Sequence, residues 1–188
     1  MSKKASDDIA FSQFLFEEDF VNVTFLKSLA ASNVGDAQLG PFEEGREAKV
    51  PLWAARVLEG EGIAKLTDAE QALKSSDLYK LSWKEERNEV VSMMPSHFYP
   101  KLRVLLLSLN EGIKENPTHT LLSEQRQSLM KAQDLVNCRL QKILRLAMER
   151  NPTKSLIEVL EPEEKALYSA LRSEIEGWRK KILIQETK

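Results

Sequence analysis

The side chains best suited to chemistry are two histidines, His97 and His119, and one cysteine, Cys138. Histidine can act as a general base or a metal ligand, and a cysteine thiolate can act as a nucleophile. The sequence contains no His-Glu-x-x-His, Cys-x-x-Cys, Gly-rich phosphate-binding or Gly-x-Ser-x-Gly pattern. We therefore predict a non-enzyme with no catalytic residues, no cofactor and no metal. The alternative is a small enzyme that pairs His97 or His119 with a neighbouring acid.

Three basic residues are candidates for contacts with DNA or an acidic partner: Arg139, Lys142 and Arg145. Their spacing of three places them on one side of a helix, where they would form a basic ridge. No aromatic residues interleave with them to stack on nucleotide bases. The ridge is therefore typical of a solvated helix face, and DNA or acidic-partner binding is the second interpretation. A helical DNA-binding module is the corresponding alternative function.

The elements that carry these residues are helices, which the sequence predicts from residue 67 onwards. Thr67 to Glu70 form a capping-box pattern at the start of this region. Apolar residues recur at steps of three and four over 95–115, at Phe98, Leu102, Leu105, Leu109 and Ile113. The same spacing predicts a helix of about 30 residues that ends near Arg150, from Leu122, Leu129, Val136, Leu140, Ile143 and Ala147.

Two further helices follow the break at Asn151-Pro152: a short one over 154–160 and a final one that starts near Pro162. The final helix should bury a stripe formed by Leu167, Leu171, Ile175, Trp178 and Ile182. Residues 67–188 are thus predicted to form a bundle of about five helices. We expect Cys138 to be a small buried side chain on one of these helices.

The first third of the chain is richer in turns, because five of the seven glycines lie between Gly35 and Gly62. Alternation over 21–25 predicts a strand, and 48–50 and 63–66 are candidates to pair with it. Residues 10–18 could form a short helix, and Pro51 suits the first turn of another, whose apolar face would contain Leu52, Trp53 and Val57. Residues 32–47 are interpreted as turn and loop. The fold class is therefore mainly α, with a small α/β domain over 1–66 and a helical domain over 67–188.

The composition indicates a globular protein whose N-terminal third is acidic. The chain is 42% apolar and 30% charged, and no apolar run approaches the roughly 20 residues of a membrane span. Residues 1–61 hold six basic and eleven acidic side chains, a net charge of −5, whereas the remainder has a net charge of +3. This distribution argues against wrapping by nucleic acid and favours an acidic face that meets a basic partner. No signal peptide is expected, since no apolar segment follows Lys3 and Lys4.

Two ordered motifs resemble the subunits of the GINS complex. The first is Asp36-Ala37-Gln38-Leu39-Gly40-Pro41-Phe42, followed by Val50-Pro51-Leu52-Trp53-Ala54. The second is Met94-Pro95-Ser96-His97-Phe98-Tyr99, followed by Lys101-Leu102 and Leu105-Leu106-Leu107. In order and spacing they are similar to the subunit class that places its β-rich small domain before its helical domain. The resemblance covers residues 15–113.

The resemblance implies a non-catalytic subunit of a DNA replication complex. It implies a scaffold and activator of the MCM replicative helicase, in a complex that also contains a Cdc-forty-five-like or RecJ-like protein. In the archaeal form, which the compact length suggests, two copies of each of two subunit kinds form a heterotetramer. The location would then be the cytoplasm and nucleoid of an archaeal cell, or the nucleus in a eukaryote. DNA contact would be weak or indirect.

The same resemblance makes the motif side chains candidates for partner interfaces: Leu39, Phe42, Pro51, Trp53, Phe98 and Tyr99. Phe42 is the first choice, because an aromatic on a Gly-Pro turn is a less natural core residue than Trp53. Replacing Phe42 with alanine should then weaken partner binding and leave the fold largely intact. The sequence departs from eukaryotic members at Glu59-Gly60-Glu61-Gly62, where those members carry a polar, basic stretch.

Overall fold

The computed structural model describes residues 3–34, 37–67 and 72–183, with side-chain surroundings for the same ranges except 3–6 and 32–39. Contacts within the chain group it into two units. The small unit is Gln13–Ala72, and the helical unit is Leu73–Lys188 together with Met1–Ser12. The predicted domain boundary between residues 66 and 67 stays a prediction.

The small unit is built on an antiparallel sheet of three strands in the order β4-β1-β5: β1 (Phe20–Phe25), β4 (Glu47–Pro51) and β5 (Ala64–Leu66). Val21 lies opposite Val50, and Thr24 lies opposite Lys65. Val21, Val23 and Phe25 are buried, because side chains two apart on a strand point to the same face. The three predicted strands are confirmed, and the predicted helix over 10–18 is part of the longer α1 (Lys3–Glu17).

A second pair of strands lies where the sequence was interpreted as turn and loop. β2 (Ser32–Val34) pairs antiparallel with β3 (Ala37–Leu39), with Ser32 opposite Leu39. A further bridge joins Leu29 to Phe42, whose backbone N–H and C=O groups exchange two hydrogen bonds of 2.8 and 2.9 Å. The loop interpretation of 32–47 is therefore wrong for these segments, because backbone pairing there does not require an apolar alternation.

Helix α2 (Leu52–Gly60) follows directly on β4, as Pro51 predicted. It packs on the sheet through Leu52, Ala54, Ala55 and Leu58, whereas Val57 is 61% exposed. The predicted apolar face is therefore wrong at Val57, whereas Leu52 is buried as predicted and Trp53 is half-buried. The two alanines explain the difference, since their small side chains let the helix backbone approach the strands closely.

The helical unit contains α3 (Ser75–Arg87), α4 (Phe98–Glu115), α5 (His119–Met148), α6 (Lys154–Glu158) and α7 (Pro162–Ile182). This confirms the predicted mainly α class with five helices in the C-terminal part. The long helix α5 contacts α3, α4 and α7 and thus organises the unit. No helix in the described part of the chain has both the length and the apolar character needed to cross a membrane.

Two apolar clusters form the core of this unit. One combines Leu78, Met94, Phe98, Leu102, Ala132 and Leu135. The other combines Val91, Ile143, Leu146, Ala147, Leu160 and Tyr168. Trp178 and Ile182 of α7 are 64% and 59% exposed, so the predicted buried stripe of the last helix is wrong at its C-terminal end.

The helix starts follow local chemistry. Thr118 Oγ1 accepts a hydrogen bond from the amide of Leu121 at the start of α5, and α7 starts with Pro162 inside a capping box of Glu161 and Glu164. The capping box predicted at Thr67–Glu70 lies largely outside the described residues, and helix α3 begins only at Ser75.

Candidate functional site

Four charged side chains lie buried together in the helical unit. Glu85 comes from α3, Arg139 and Lys142 from α5, and Glu164 from α7. Their exposed fractions range from 0% to 9%. We refer to these four residues as the ion-pair cluster. Two cations and two anions make it neutral, which is the condition under which buried charges are tolerated.

Arg139 connects three parts of the unit. Its Nε and Nη2 donate to the two carboxylate oxygens of Glu164, with 2.6 Å between Nη2 and Oε2. Its Nη1 donates to Glu85 Oε2 at 3.1 Å and to the carbonyl oxygen of Ser92 at 2.9 Å. The planar guanidinium suits this arrangement, because its donors form a rigid fork that matches a carboxylate.

Lys142 closes the other side of the cluster. Its Nζ lies 2.7 Å from Glu85 Oε1 and 2.6 Å from the Glu85 carbonyl oxygen, and it also donates to the carbonyl oxygen of Val90 at 3.2 Å. All three ammonium donors are therefore used. The amide and hydroxyl of Ser92 donate to Glu85 Oε2. The segment between α3 and α4 is thus held by side chains of α5.

Tyr99 extends the cluster to α4, since its hydroxyl donates to Glu164 Oε1 at 2.6 Å. Burial and the neighbouring negative charge of Glu164 raise the pKa of Tyr99 well above its ordinary value of 10.0. Burial alone would raise the pKa of Glu85, but the hydrogen bonds from Lys142 and Ser92 and the charge of Arg139 lower it below 4.5. Glu85 is therefore held in its ionised form at neutral pH.

These positions correct the predicted basic ridge. Arg139 is fully buried and Lys142 is 9% exposed, so the interpretation of these two as a solvated or nucleic-acid-binding face is wrong. The physical reason is that Glu85 and Glu164 supply matching charges from α3 and α7. Arg145 does lie exposed on α5.

The motif residues fall into different environments. Phe98 is fully buried in the core of its own unit, so its prediction as a partner contact is wrong. Tyr99, Pro51 and Trp53 are half-buried, and the backbone of Leu39 forms the end of β3. Phe42 is half-buried and stacks on buried Phe25, with 4.2 Å between ring centroids. Phe42 therefore has a packing role, and partner contact by Leu39, Phe42, Pro51, Trp53 or Tyr99 stays a prediction.

The two histidines and the cysteine do not form a common site. His97 precedes α4 in a left-handed backbone conformation, with φ of 56°, and His119 is the first residue of α5. Cys138 is half-buried, with its sulfur 3.9 Å from the carbonyl oxygen of Glu85. Within the described ranges, no three His, Cys, Asp or Glu side chains are grouped as a metal site would require.

The apolar positions that predicted α5 lie mostly on its solvent side. Leu122, Leu129, Val136, Leu140 and Leu144 are between 37% and 46% exposed. We call these five residues the outer stripe. They span about 33 Å of helix at a rise of 1.5 Å per residue. An adjacent face of α5, which contains Ser128, Arg139 and Lys142, is buried instead.

The buried side of α5 is itself largely apolar, with Leu135, Ile143 and Leu146 beside the charged pair, so the outer stripe is a second, exposed apolar face. Single exposed apolar side chains are common, but a continuous row marks a surface that another protein covers. The helical spacing in the sequence contains every residue of this row except Leu144, but it gave no indication of Glu85 and Glu164. The available signal was the buried-face spacing of Ser128, Leu135, Arg139, Lys142 and Leu146, at steps of seven, four, three and four.

Comparison with known proteins gives the family. Residues 72–183 match the model of the GINS complex protein helical bundle domain, Sld5. The human DNA replication complex GINS protein PSF2 is 33% identical over 101 residues, which are 54% of this chain and 54% of the human protein. The alignment thus spans about half the length of that curated relative. Because the family model covers more than half of this chain, including the ion-pair cluster and the outer stripe, the protein belongs to the GINS family of DNA replication complex subunits.

Proposed function

We propose that this chain is a non-catalytic scaffold subunit that assembles with other GINS subunits through the outer stripe of α5. The assembled complex then acts as an accessory factor and activator of the MCM replicative helicase, together with a Cdc-forty-five-like or RecJ-like protein. The proposed archaeal form is a heterotetramer with two copies of this chain and two of a subunit that carries its small domain last. It would act at the nucleoid of an archaeal cell, or in the nucleus of a eukaryotic one.

The observation that carries the proposal is the exposure of the outer stripe. Leu122, Leu129, Val136, Leu140 and Leu144 present a row of branched apolar side chains to solvent. Covering such a row with a partner helix removes apolar surface from water, at about 25 cal/mol per Å². Interfaces of permanent assemblies are apolar in this way.

The ion-pair cluster supports a scaffold role. Its donors and acceptors are directed at one another, and they tie α3, α4, α5 and α7 together. Helices held in this way present the outer stripe as a rigid surface, which reduces the entropy lost when a partner binds. A rigid face is what an assembly subunit requires.

The acidic small unit supports a second contact. Glu43, Glu44, Glu59 and Glu61 are exposed there. A basic surface on the MCM helicase or on its other accessory protein would be attracted to these charges. Such attraction mainly accelerates association and weakens as salt concentration rises.

Assembly is tested by co-expressing the chain with the other GINS subunits of the same organism and measuring the mass of the purified complex by native mass spectrometry. Incorporation in two copies beside two copies of one other subunit is expected. A complex of four different chains would retain the scaffold role and remove the two-plus-two arrangement. A chain that stays monomeric beside those subunits contradicts the proposed function.

A further inference from the structure

A depression of about 270 Å³ lies beside the outer stripe in the helical unit. Its apolar walls come mainly from Val136, Leu140 and Ile143 of α5 and Leu167 of α7. The lining is completed by Ile9 of α1 and by Tyr99 and Arg103 of α4. The carboxylate of Glu163 lines the same depression. Glu164 lines it as well, but of these two carboxylates only that of Glu163 lacks hydrogen-bond partners in the part of the chain that the structure describes. Largely apolar walls beside such a carboxylate form a site for a ligand with an apolar stem and a positive tip.

Glu163 is buried without adequate partners. Its exposed fraction is 8%, and neither carboxylate oxygen has a hydrogen-bond partner among the described residues. Arg103 Nη2 lies 3.8 Å from Oε1, an ion-pair contact that is too long for a hydrogen bond. The next residue, Glu164, contrasts with it, because its oxygens accept from Arg139, Tyr99 and the amide of Glu161.

The position of Glu163 on α7 does not explain why its carboxylate is buried. Glu163 lies in the first turn of α7, where a negative charge interacts favourably with the helix dipole. That interaction does not require removal from water, and Glu164 already completes the capping box. A buried carboxylate without hydrogen bonds is costly to the free chain, so its retention indicates a donor that arrives on binding.

We propose that the depression receives a lysine or arginine side chain from a neighbouring GINS subunit, whose charged tip binds the carboxylate of Glu163. The aliphatic stem of that side chain packs against Val136, Leu140 and Leu167, as the stems of long basic residues do on apolar surfaces. This inference rests on the proposed function, because it names the chemistry of the partner at the outer stripe. Val136 and Leu140 belong to both the stripe and the depression, so one helix can cover both.

The test is a competition between chains for a limiting amount of the other GINS subunits. Full-length wild-type chain and Glu163→Gln chain are mixed in equal amounts with those subunits, and mass spectrometry measures the ratio of the two in the purified complex. An excess of wild type of about tenfold is expected, since the variant loses a charged hydrogen bond. Glu174→Gln, an exposed glutamate on the same helix, is the matched control and should compete equally.

Two results would overturn the inference. One is equal incorporation of wild-type and Glu163→Gln chains into a complex that forms normally. The other is a loss of incorporation accompanied by a lower melting temperature of the free chain, which would make Glu163 a structural residue. Failure of the wild-type chain to assemble would instead contradict the proposed function.

The basic residue itself is found by replacing each lysine and arginine of the partner subunit with alanine. One substitution should weaken binding of the wild-type chain about tenfold and have no further effect on the Glu163→Gln chain. Absence of any such coupled residue counts against the inference. The Lys3→Ala/Lys4→Ala variant tests whether a lysine of this chain's own N-terminus, rather than one of the partner, binds Glu163. We expect this variant to assemble like wild type.

Discussion

Arg139 and Glu164, 25 residues apart in sequence, form a two-pronged ion pair in the interior of the helical unit. Both guanidinium–carboxylate bonds are buried, and the Nη2–Oε2 distance is 2.6 Å. The pair joins the middle of α5 to the first turn of α7, where Glu164 also accepts from Tyr99 of α4. Arg139, which the sequence pattern predicted to be exposed, therefore links helices in the interior of the unit.

Replacing Arg139 with methionine should destabilise the protein by about 3–5 kcal/mol, because it leaves Glu85 and Glu164 without their shared partner in the interior. The free energy of unfolding from urea denaturation measures this loss. Arg145→Met is the matched control on the same helix, and its effect should stay within about 0.5 kcal/mol because Arg145 is exposed. Equal effects of the two substitutions would show that the cluster does not hold the helices together.

The carboxyl groups of Glu85 and Glu161 should titrate on opposite sides of 4.5. The pKa of Glu85 is lowered because donors from Lys142 and Ser92 outweigh its burial, whereas burial and the charges of Glu164 and Glu163 raise the pKa of Glu161. The stability contributed by Glu85 is therefore full above pH 4.5 and lost as pH falls through its lowered pKa. The contribution of Glu161 is full below pH 4.5 and lost as pH rises through its raised pKa.

Carbon-detected NMR of the side-chain carboxyl groups measures both titrations in the wild-type chain. A Glu85 midpoint at or above 4.5 would mean that Lys142 and Arg139 do not neutralise it in solution.

Placing charge on the outer stripe should prevent assembly without unfolding the chain. In a Leu129→Asp/Val136→Asp variant the two aspartates remain hydrated in the free chain, but a partner helix would have to desolvate them at a cost of several kcal/mol. Co-purification with the other GINS subunits should therefore fall at least tenfold, while circular dichroism of the free chain stays unchanged. Gln141→Asp, on another exposed part of α5, should assemble normally. Normal assembly of the double variant would place the interface elsewhere.

Removing the ring of Phe42 should loosen the small unit. Phe42 stacks on buried Phe25 of β1, so Phe42→Ala should cost about 1–3 kcal/mol, less than a fully buried phenylalanine. Faster hydrogen exchange of the amides of β1 would report the loss. Phe20→Ala, at a ring that is 66% exposed, is the control and should leave those amides unchanged. A Phe42→Ala chain with unchanged exchange and weakened partner binding would favour the interface role predicted for Phe42.

The local elements were predictable because their signals lie within a few residues of each other. Alternation at 21–25 identified β1, and Pro51 identified the start of α2. The break at Asn151-Pro152 follows the end of α5, and Pro162 marked the start of α7. The strands β2 and β3 were not predicted, because three-residue strands carry too few side chains to show an alternating pattern.

The sequence by itself determined that α5 is a helix of about 30 residues with one apolar stripe and one line of basic residues. Only the tertiary structure decided which of these faces the interior. Ile143 and Ala147 of the apolar pattern are buried, but its other positions stay exposed. Glu85 and Glu164, 54 and 25 residues from Arg139, neutralise Arg139 and Lys142 and allow their burial, whereas Arg145 stays exposed. Burial of a charge depends on partners that are distant in sequence, and no local pattern contains them. The same folding leaves the outer stripe exposed.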